Sequence, residues 1–437
     1  MPASITLARG IALLLTAVPG VAWAGTLDYT FYADAEHSNN INLSTSNPVG
    51  QDILTPGFGF ALAQQGSTLQ ANVVGNLEYR DYLGGRFDNQ TRTQLAGQAN
   101  WTVLPQRLDF GVEDYAGVQP VDSLVSNGPG NQQQTNVLSL GPTLHFRLGD
   151  ALHGQAELRY INSYASKTDE FNSSRGVAAL RLYRDISPTD QFSANIETQD
   201  VRFDNQTGGN FQTGGNFVRN ELYARYTKKL ATVDADVLAG WSQLHFSHAR
   251  KESSPLARAT LNWRPTARST FTLAGVYQYS DAAQDMMQPL EMAISASGGA
   301  ISTGNTAINP QVYLERRVEA TYAFHNERLT LSLTPVFGKL HYLGDATLDQ
   351  TNRGGGVSLA YRLRPTLALS AFAEGERRTY SDLGRRDTTI RFGLDLSKQQ
   401  TQHWNWHASV IQQRRNSNAV AQNYRETEIF FGVVYRR

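Results

Sequence analysis

Hydrophobic and polar residues alternate along most of the chain. Over residues 68–82, Leu69, Ala71, Val73, Gly75, Leu77 and Tyr79 share one parity, and Gln70, Asn72, Asn76, Glu78 and Arg80 the other. Over residues 92–103, Leu95, Gly97, Ala99, Trp101 and Val103 oppose Arg92, Gln94, Gln98 and Asn100. Over residues 328–337, Leu329, Leu331, Leu333 and Phe337 oppose Arg328, Thr330, Ser332 and Thr334. A period of two belongs to strands with one apolar and one polar face. No segment after residue 24 is apolar for long enough to predict a membrane helix.

The alternating segments come in pairs. A strand ends near an aromatic residue, a tight turn follows, and a second strand begins, as at Trp101-Thr-Val-Leu-Pro105, Phe146-Arg-Leu-Gly-Asp150 and Tyr361-Arg-Leu-Arg-Pro-Thr366. Proline pre-sets φ and glycine tolerates positive φ, so these are turn sequences. Between the pairs lie looser stretches rich in Asn, Gly, Ser and Asp: 38–51, 118–134, 204–216 and 282–310. Short links alternating with long ones are the asymmetry of outer-membrane barrels, with short periplasmic turns and long external loops. The predicted fold is all-β: a single transmembrane antiparallel up-and-down β-barrel of about 20 strands, or about 18 if short strands are miscounted.

Aromatic residues refine the picture. On the outward parity, Trp101, Phe146, Tyr226, Trp263, Phe324, Tyr361, Trp404 and Tyr435 lie near the short turns. Tyr79, Tyr160, Tyr164, Trp241, Tyr277 and Tyr279 lie near the long loops. Two such girdles are expected where amphipathic rings meet the two membrane interfaces. Leu331 is expected to face lipid near the midplane, and Thr330 to face the lumen.

Residues 1–24 read as a secretory signal peptide: Arg9, an apolar stretch from Ile11, then Ala22-Trp23-Ala24 before Gly25. Residues 25–437 are then the barrel. Strand patterning starts at Leu27, which predicts no plug domain ahead of it. The 437 residues carry 39 Lys plus Arg against 39 Asp plus Glu, so a general nucleic-acid binder, with its basic excess, is not expected. The absence of cysteine excludes a disulfide framework, a thiolate metal site and a cysteine nucleophile. A mean hydropathy of −0.40 fits a lipid face and a wet face averaged together.

The inward parity places Arg80, Arg92, Arg159, Arg225, Arg258 and Arg391 in the pore lining, with Glu78, Glu157, Glu374 and Glu376. Two readings follow. One is a ladder of cross-strand ion pairs that stiffens the wall. The other is a hydrated path whose charge stripes orient a polar or anionic solute. The longest loop holds Met286, Met287, Leu290 and Met292, an apolar cluster that predicts either a lid over the lumen or, as the alternative, a disordered surface loop or packing among neighbouring loops. No Gly-x-Ser-x-Gly or His-Glu-x-x-His motif occurs, and His245, Ser247 and His248 read as solvated rim. No catalytic group, cofactor or metal site is therefore predicted.

Three segments carry a resemblance. Tyr-Ala-Asp-Ala-Glu-His-Ser-Asn-Asn-Ile-Asn-Leu from Tyr32, Trp-Thr-Val-Leu-Pro-Gln-Arg-Leu-Asp-Phe-Gly-Val-Glu-Asp-Tyr from Trp101, and Gly-Pro-Thr-Leu-His-Phe-Arg-Leu-Gly-Asp from Gly141 are similar to outer-membrane barrels associated with exosortase and exopolysaccharide loci (the PEP-CTERM-system-associated type). The resemblance is best over the first half. It implies a surface barrel near polysaccharide or protein export, with an export apparatus as partner, and brings no catalytic residues. The last strand, with Ile429, Phe431, Val433 and Tyr435 on one face, resembles the signal read by the barrel-assembly machinery, except that Arg436 and Arg437 follow where an aromatic terminus is usual. The remaining expected partners are outer-membrane lipid and lipopolysaccharide. The sequence thus predicts a channel for hydrophilic solute or polymer, with a closed docking barrel as the alternative and an outer-membrane enzyme as the weakest reading.

Overall fold

A computed structural model describes residues 25–205, 215–247, 250–287 and 307–437; the assigned signal segment lies outside them. Twenty strands run in sequence. The first ten are β1 (Gly25–Ser38), β2 (Gln51–Gln65), β3 (Leu69–Tyr82), β4 (Gln90–Leu104), β5 (Leu108–Pro120), β6 (Gln132–Arg147), β7 (Leu152–Ala165), β8 (Ser173–Ser187), β9 (Asp190–Phe203) and β10 (Phe217–Lys229). The rest are β11 (Val233–Phe246), β12 (Lys251–Thr266), β13 (Ser269–Asp281), β14 (Val312–His325), β15 (Leu329–Tyr342), β16 (Gln350–Arg364), β17 (Leu367–Tyr380), β18 (Arg385–Gln399), β19 (Trp404–Ser417) and β20 (Tyr424–Arg436). One short helix, α1 (Ala282–Met286), follows β13. Each strand is antiparallel to its neighbour in sequence, and β20 closes on β1 through Phe31↔Tyr435 and Ala35↔Phe431. Closure removes the sheet edges, which a membrane span requires.

The turns at one end are short throughout. At the other end, links 39–50 and 121–131 are long, but 381–384 and 247–250 have four residues each, as short as the turns opposite. The expected loop asymmetry therefore holds, with these two short links as exceptions.

Register puts the alternating residues on two faces. Leu222, Ile196, Leu180, Leu273, Leu333, Leu394, Val410 and Ile429 are outward and exposed. The lower aromatic ring is continuous in places: Trp263 lies 5.6 Å from Phe271, Phe271 4.6 Å from Tyr322, and Trp404 5.3 Å from Tyr435 between ring centroids. Trp241 faces Pro255, eight residues above Trp263 on the same strand. At about 2.5 Å of height per residue on a tilted strand, that separates the girdles by roughly 20 Å, close to the ~25 Å apolar band of outer-membrane barrels. The protein is an integral β-barrel of the bacterial outer membrane.

Depth corrects one expectation. Leu331 stands two residues above the start of β15, opposite Phe324 and Leu359. It belongs to the lower interface and not the midplane, because parity gives the face of a residue but not its height.

The lipid side is not uniform. On β2–β6, outward Leu62, Val73, Leu95, Val112 and Ala116 bury one another, with Phe60, Phe110, Leu138 and Leu140 around them, while inward Gln70, Asn72 and Gln98 are exposed. Side chains that converge outside and diverge inside mark a wall that is concave toward lipid. Asp114 lies within this patch on the outward parity, 1% exposed, and accepts a 2.6 Å hydrogen bond from Asn136 Nδ2. Glycines let rings lie across neighbouring strands here. Phe60 covers Gly75 and Phe146 covers Gly154, where a Cβ would fall 2.4 Å and 2.2 Å from the ring.

Candidate functional site

The lumen is not an open tube, and the register shows why. β12 begins at Lys251 and β13 continues to Asp281, yet their last pair is Ala257↔Tyr277. β13 stays paired with β14 up to Asp281↔Val312, and β14 with β15 up to Tyr313↔Tyr342. The upper ends of these strands thus leave β12 and lean inward together. Tyr279 and Val312, outward by parity, come to pack against inward Val201, Phe203, Phe217, Leu244 and Phe246. Tyr279, expected in the upper girdle, is 3% exposed and sits under this fold.

From there α1 carries the chain across the mouth. Ala282, Ala283 and Met286, with Ile308, seat among Val137, Ile161, Ala165, Phe171 and Val177 on the β6–β8 side. Met287 packs at the edge of that cluster. Leu290 and Met292, the other two candidate lid residues, lie outside the described residues. Aliphatic side chains from α1 meet an apolar patch on an otherwise wet wall, so seating removes both surfaces from water.

Two buried arginines hold this crossing. Arg175 Nη1 donates to Asp281 Oδ2 at 2.8 Å, with the two side chains only 1% and 3% exposed. Asp281 also caps α1, its Oδ1 accepting the N–H groups of Ala283 at 3.0 Å and Gln284 at 3.1 Å. Arg219 Nη1 donates to Gln284 Oε1 at 2.6 Å and to the Tyr279 carbonyl at 3.3 Å. Removing one partner of a buried ion pair typically costs about 3–5 kcal/mol, because the other charge is left in low dielectric.

α1 also divides the space. Gln284 and Met287 border a cavity of ≈ 950 Å³ against β7–β12, and Asp285 borders one of ≈ 620 Å³ against β14–β19. A third, of ≈ 510 Å³, lies against β2–β7 and shares Glu113 and Arg159 with the first.

The sequence-assigned pore residues all project inward, and most are paired. Arg80 meets Glu36 at 2.6 Å, Arg92 meets Glu78 at 3.7 Å, and Arg378 meets Glu376 at 2.6 Å. Arg159 and Arg181 share Glu157 and Glu197: Arg159 lies 2.6 Å from Glu157 and Arg181 3.4 Å from Glu197. Arg225 pairs with Asp236. Arg258 donates to Gln278, which in turn donates to Glu315 at 2.9 Å. Glu374 and Arg391 are opposite in register, with the Arg391 guanidinium 5.1 Å from the Phe372 ring centroid. Of the assigned girdle, Tyr79, Trp241, Trp263, Tyr361 and Trp404 are outward and exposed, while Trp101, Tyr226 and Tyr277 are outward and half-buried by neighbours.

Arg175 and Asp281 were not singled out by sequence reasoning; alternation places Arg219 only among the many inward charges. Asp281 before Ala-Ala-Gln-Asp-Met is a readable helix N-cap. Nothing in sequence distinguishes Arg175 from the other inward arginines.

No family model matches this sequence, and no curated protein matches it. Among solved structures, the chain is similar to the ferric enterobactin receptor PfeA of Pseudomonas aeruginosa, at 10% identity and TM-score 0.49 over 95% of this chain and 82% of that one. It is also similar to the FrpB iron transporter of Neisseria meningitidis, at 9% identity and TM-score 0.44 over 94% and 82%. At such values the ligands of those proteins remain statements about those proteins.

Proposed function

We propose that this chain is an outer-membrane channel for hydrophilic solutes whose mouth is closed, in this conformation, by the inward-leaning end of β13–β15 and α1. The observation that supports it is the join between a wet, charged lumen and one displaced piece of its own wall. A barrel built only as a scaffold has no need to keep cavities of several hundred Å³ beneath a separately seated segment. Met286, Met287 and the residues around them act here as the lid.

Planar-bilayer recording tests this reading. The wild-type barrel is expected to dwell mostly closed, with discrete openings. Met286→Ala removes a buried anchor and weakens seating by about 2–5 kcal/mol, so it raises the open fraction. If both proteins are silent in high salt, the channel reading fails. The closed docking barrel then stands, a reading favoured by the pairing of most of the pore-lining arginines.

The finer assignment, passage of polymer in exopolysaccharide or protein export beside an export apparatus, draws on the three resembling segments. Loss of surface polymer on deleting the chain would support it, and unchanged polymer would remove it. Insertion by the barrel-assembly machinery, guided by the outward face of β20, belongs to the same proposal.

A further inference from the structure

We propose that Arg175 and Arg219 form an anion-recognition site at the mouth, where the carboxylate or phosphate of an incoming solute takes the place of Asp281 and releases α1. The inference rests on the channel reading and adds a ligand class and a trigger to it.

Consider what opening demands. Lifting α1 separates Asp281 from Arg175 and Gln284 from Arg219. Asp281 can be rehydrated once it leaves with α1. The arginines stay behind on β8 and β10: Arg219 keeps Gln199 Oε1 at 2.5 Å and Glu221 at 3.6 Å, whereas Arg175 loses its carboxylate partner. Arg175 is the largest side chain in the barrel among those fully buried, and apolar Val177 and Val201 flank it on its own strand and the next. An unpaired guanidinium there is costly, so α1 stays down unless another anion arrives. A solute carboxylate or phosphate supplies the same planar or tetrahedral oxygen set that a guanidinium fork binds.

The second observation is the lining below. The cavity beside Gln284 and Met287, which contains Arg219, is walled by seven Arg or Lys side chains against five Asp or Glu. The cavity on the other side of α1 has three basic and four acidic. Glu157, Asp190 and Arg264 pair with Arg181, Lys228 and Asp234 of the first lining, so its basic excess is slight. An anion that displaces Asp281 enters this slightly basic side. Whole-chain neutrality hides this.

The test uses inorganic phosphate and citrate on the full-length barrel, with heat-modifiable migration as the check on assembly. In bilayers, phosphate on the loop side at ten times its dissociation constant should raise the wild-type open-to-closed ratio about tenfold. Asp281→Asn keeps a capping oxygen for α1 but removes the competing charge. It should open without phosphate and gain little from adding it. Arg175→Gln should lose phosphate binding measured by calorimetry on the detergent-solubilised barrel. A wild type that conducts but shows neither gating nor binding with either anion overturns the proposal and leaves the channel intact. Barrels that never conduct, yet bind phosphate through Arg175, support the anion site and overturn the channel instead. The wild-type titration decides the matter even if a variant misassembles.

Discussion

Val410 and Ser409 are neighbours on β19 with opposite fates, so one substitution placed at each tests the assigned faces and the assigned depth together. Val410 is outward, 48% exposed, and sits between Leu394 and Ile429 on the adjacent strands. It lies six residues above Trp404 in the lower girdle. At about 2.5 Å of height per residue, that is roughly 15 Å into a ~25 Å band, near its centre. A cation there carries the full midplane penalty of about 2–4 kcal/mol. Ser409 points into the lumen opposite Asp395 and Phe430. An arginine at 409 meets water and a facing carboxylate. Val410→Arg should thus lower the folding equilibrium in lipid vesicles by roughly 30- to 1,000-fold. Ser409→Arg should change it by less than about 0.5 kcal/mol, as surface substitutions do. Urea titrations into vesicles of short-chain lipid, followed by heat-modifiable migration, read both. Equal losses, or a larger loss at 409, would refute the faces assigned to β19 and, with it, the lipid belt.

Two further outcomes are expected. Glu157→Gln leaves the Arg159 and Arg181 guanidiniums, both part-buried, to share Glu197, and should cost about 1–3 kcal/mol, whereas Glu197→Gln should cost under about 1 kcal/mol; similar losses in the same urea titration would count against Glu157 as the centre of that network. At the periplasmic turn below the lower girdle, Asp190 accepts hydrogen bonds from Lys228 at 2.7 Å, Ser187 at 2.5 Å and Thr189 at 2.9 Å, which hold its carboxyl well below the usual range. A depressed folded value stabilises above the unfolded one, about pH 4, and the gain is lost as pH falls from there. The stability difference between wild type and Asp190→Asn should hold steady from neutral pH to about pH 5 and shrink in stronger acid; a difference that grows in acid would reverse the sign assigned to this turn.

The faces of the wall were readable because each strand residue has two choices and burial in lipid or lumen separates them. Arg80, Glu157, Trp263 and Tyr361 all fall where alternation puts them. Closure was readable too, since β20 alternates like its neighbours. Height was less legible, as Leu331 shows, because it depends on where each turn begins. The crossing by α1 was only half legible. The methionines signalled an apolar segment in a wet place, but its anchors are set by pairing across the barrel. Arg175 and Asp281 are 106 residues apart, and no local pattern couples them. Tyr279 misled for the same reason: its parity is outward, and the strand that carries it has turned away from the wall.

That departure leaves a slit. Above Ala257, β12 has β11 on one side and no register partner in β13 on the other. Its residues 251–256 present an edge beside a strand that once could have filled it; residues 90–94 of β4 lose β5 in the same way above Leu95↔Ala116, but there the Gln134 side chain bridges the Thr93 and Gly117 carbonyls. Pro255 lies on the β12 edge, and proline is tolerated in sheets where a ladder is open on one side. The edge gives the wall a seam of low stability. Amides of 251–254 and 256 should exchange with deuterium faster than those of β16 at the same height, and exchange should slow if β13 swings back upright. On the proposed channel reading, opening the mouth and sealing the wall are a single event: the strand ends that uncover the lumen are those that zip the slit shut.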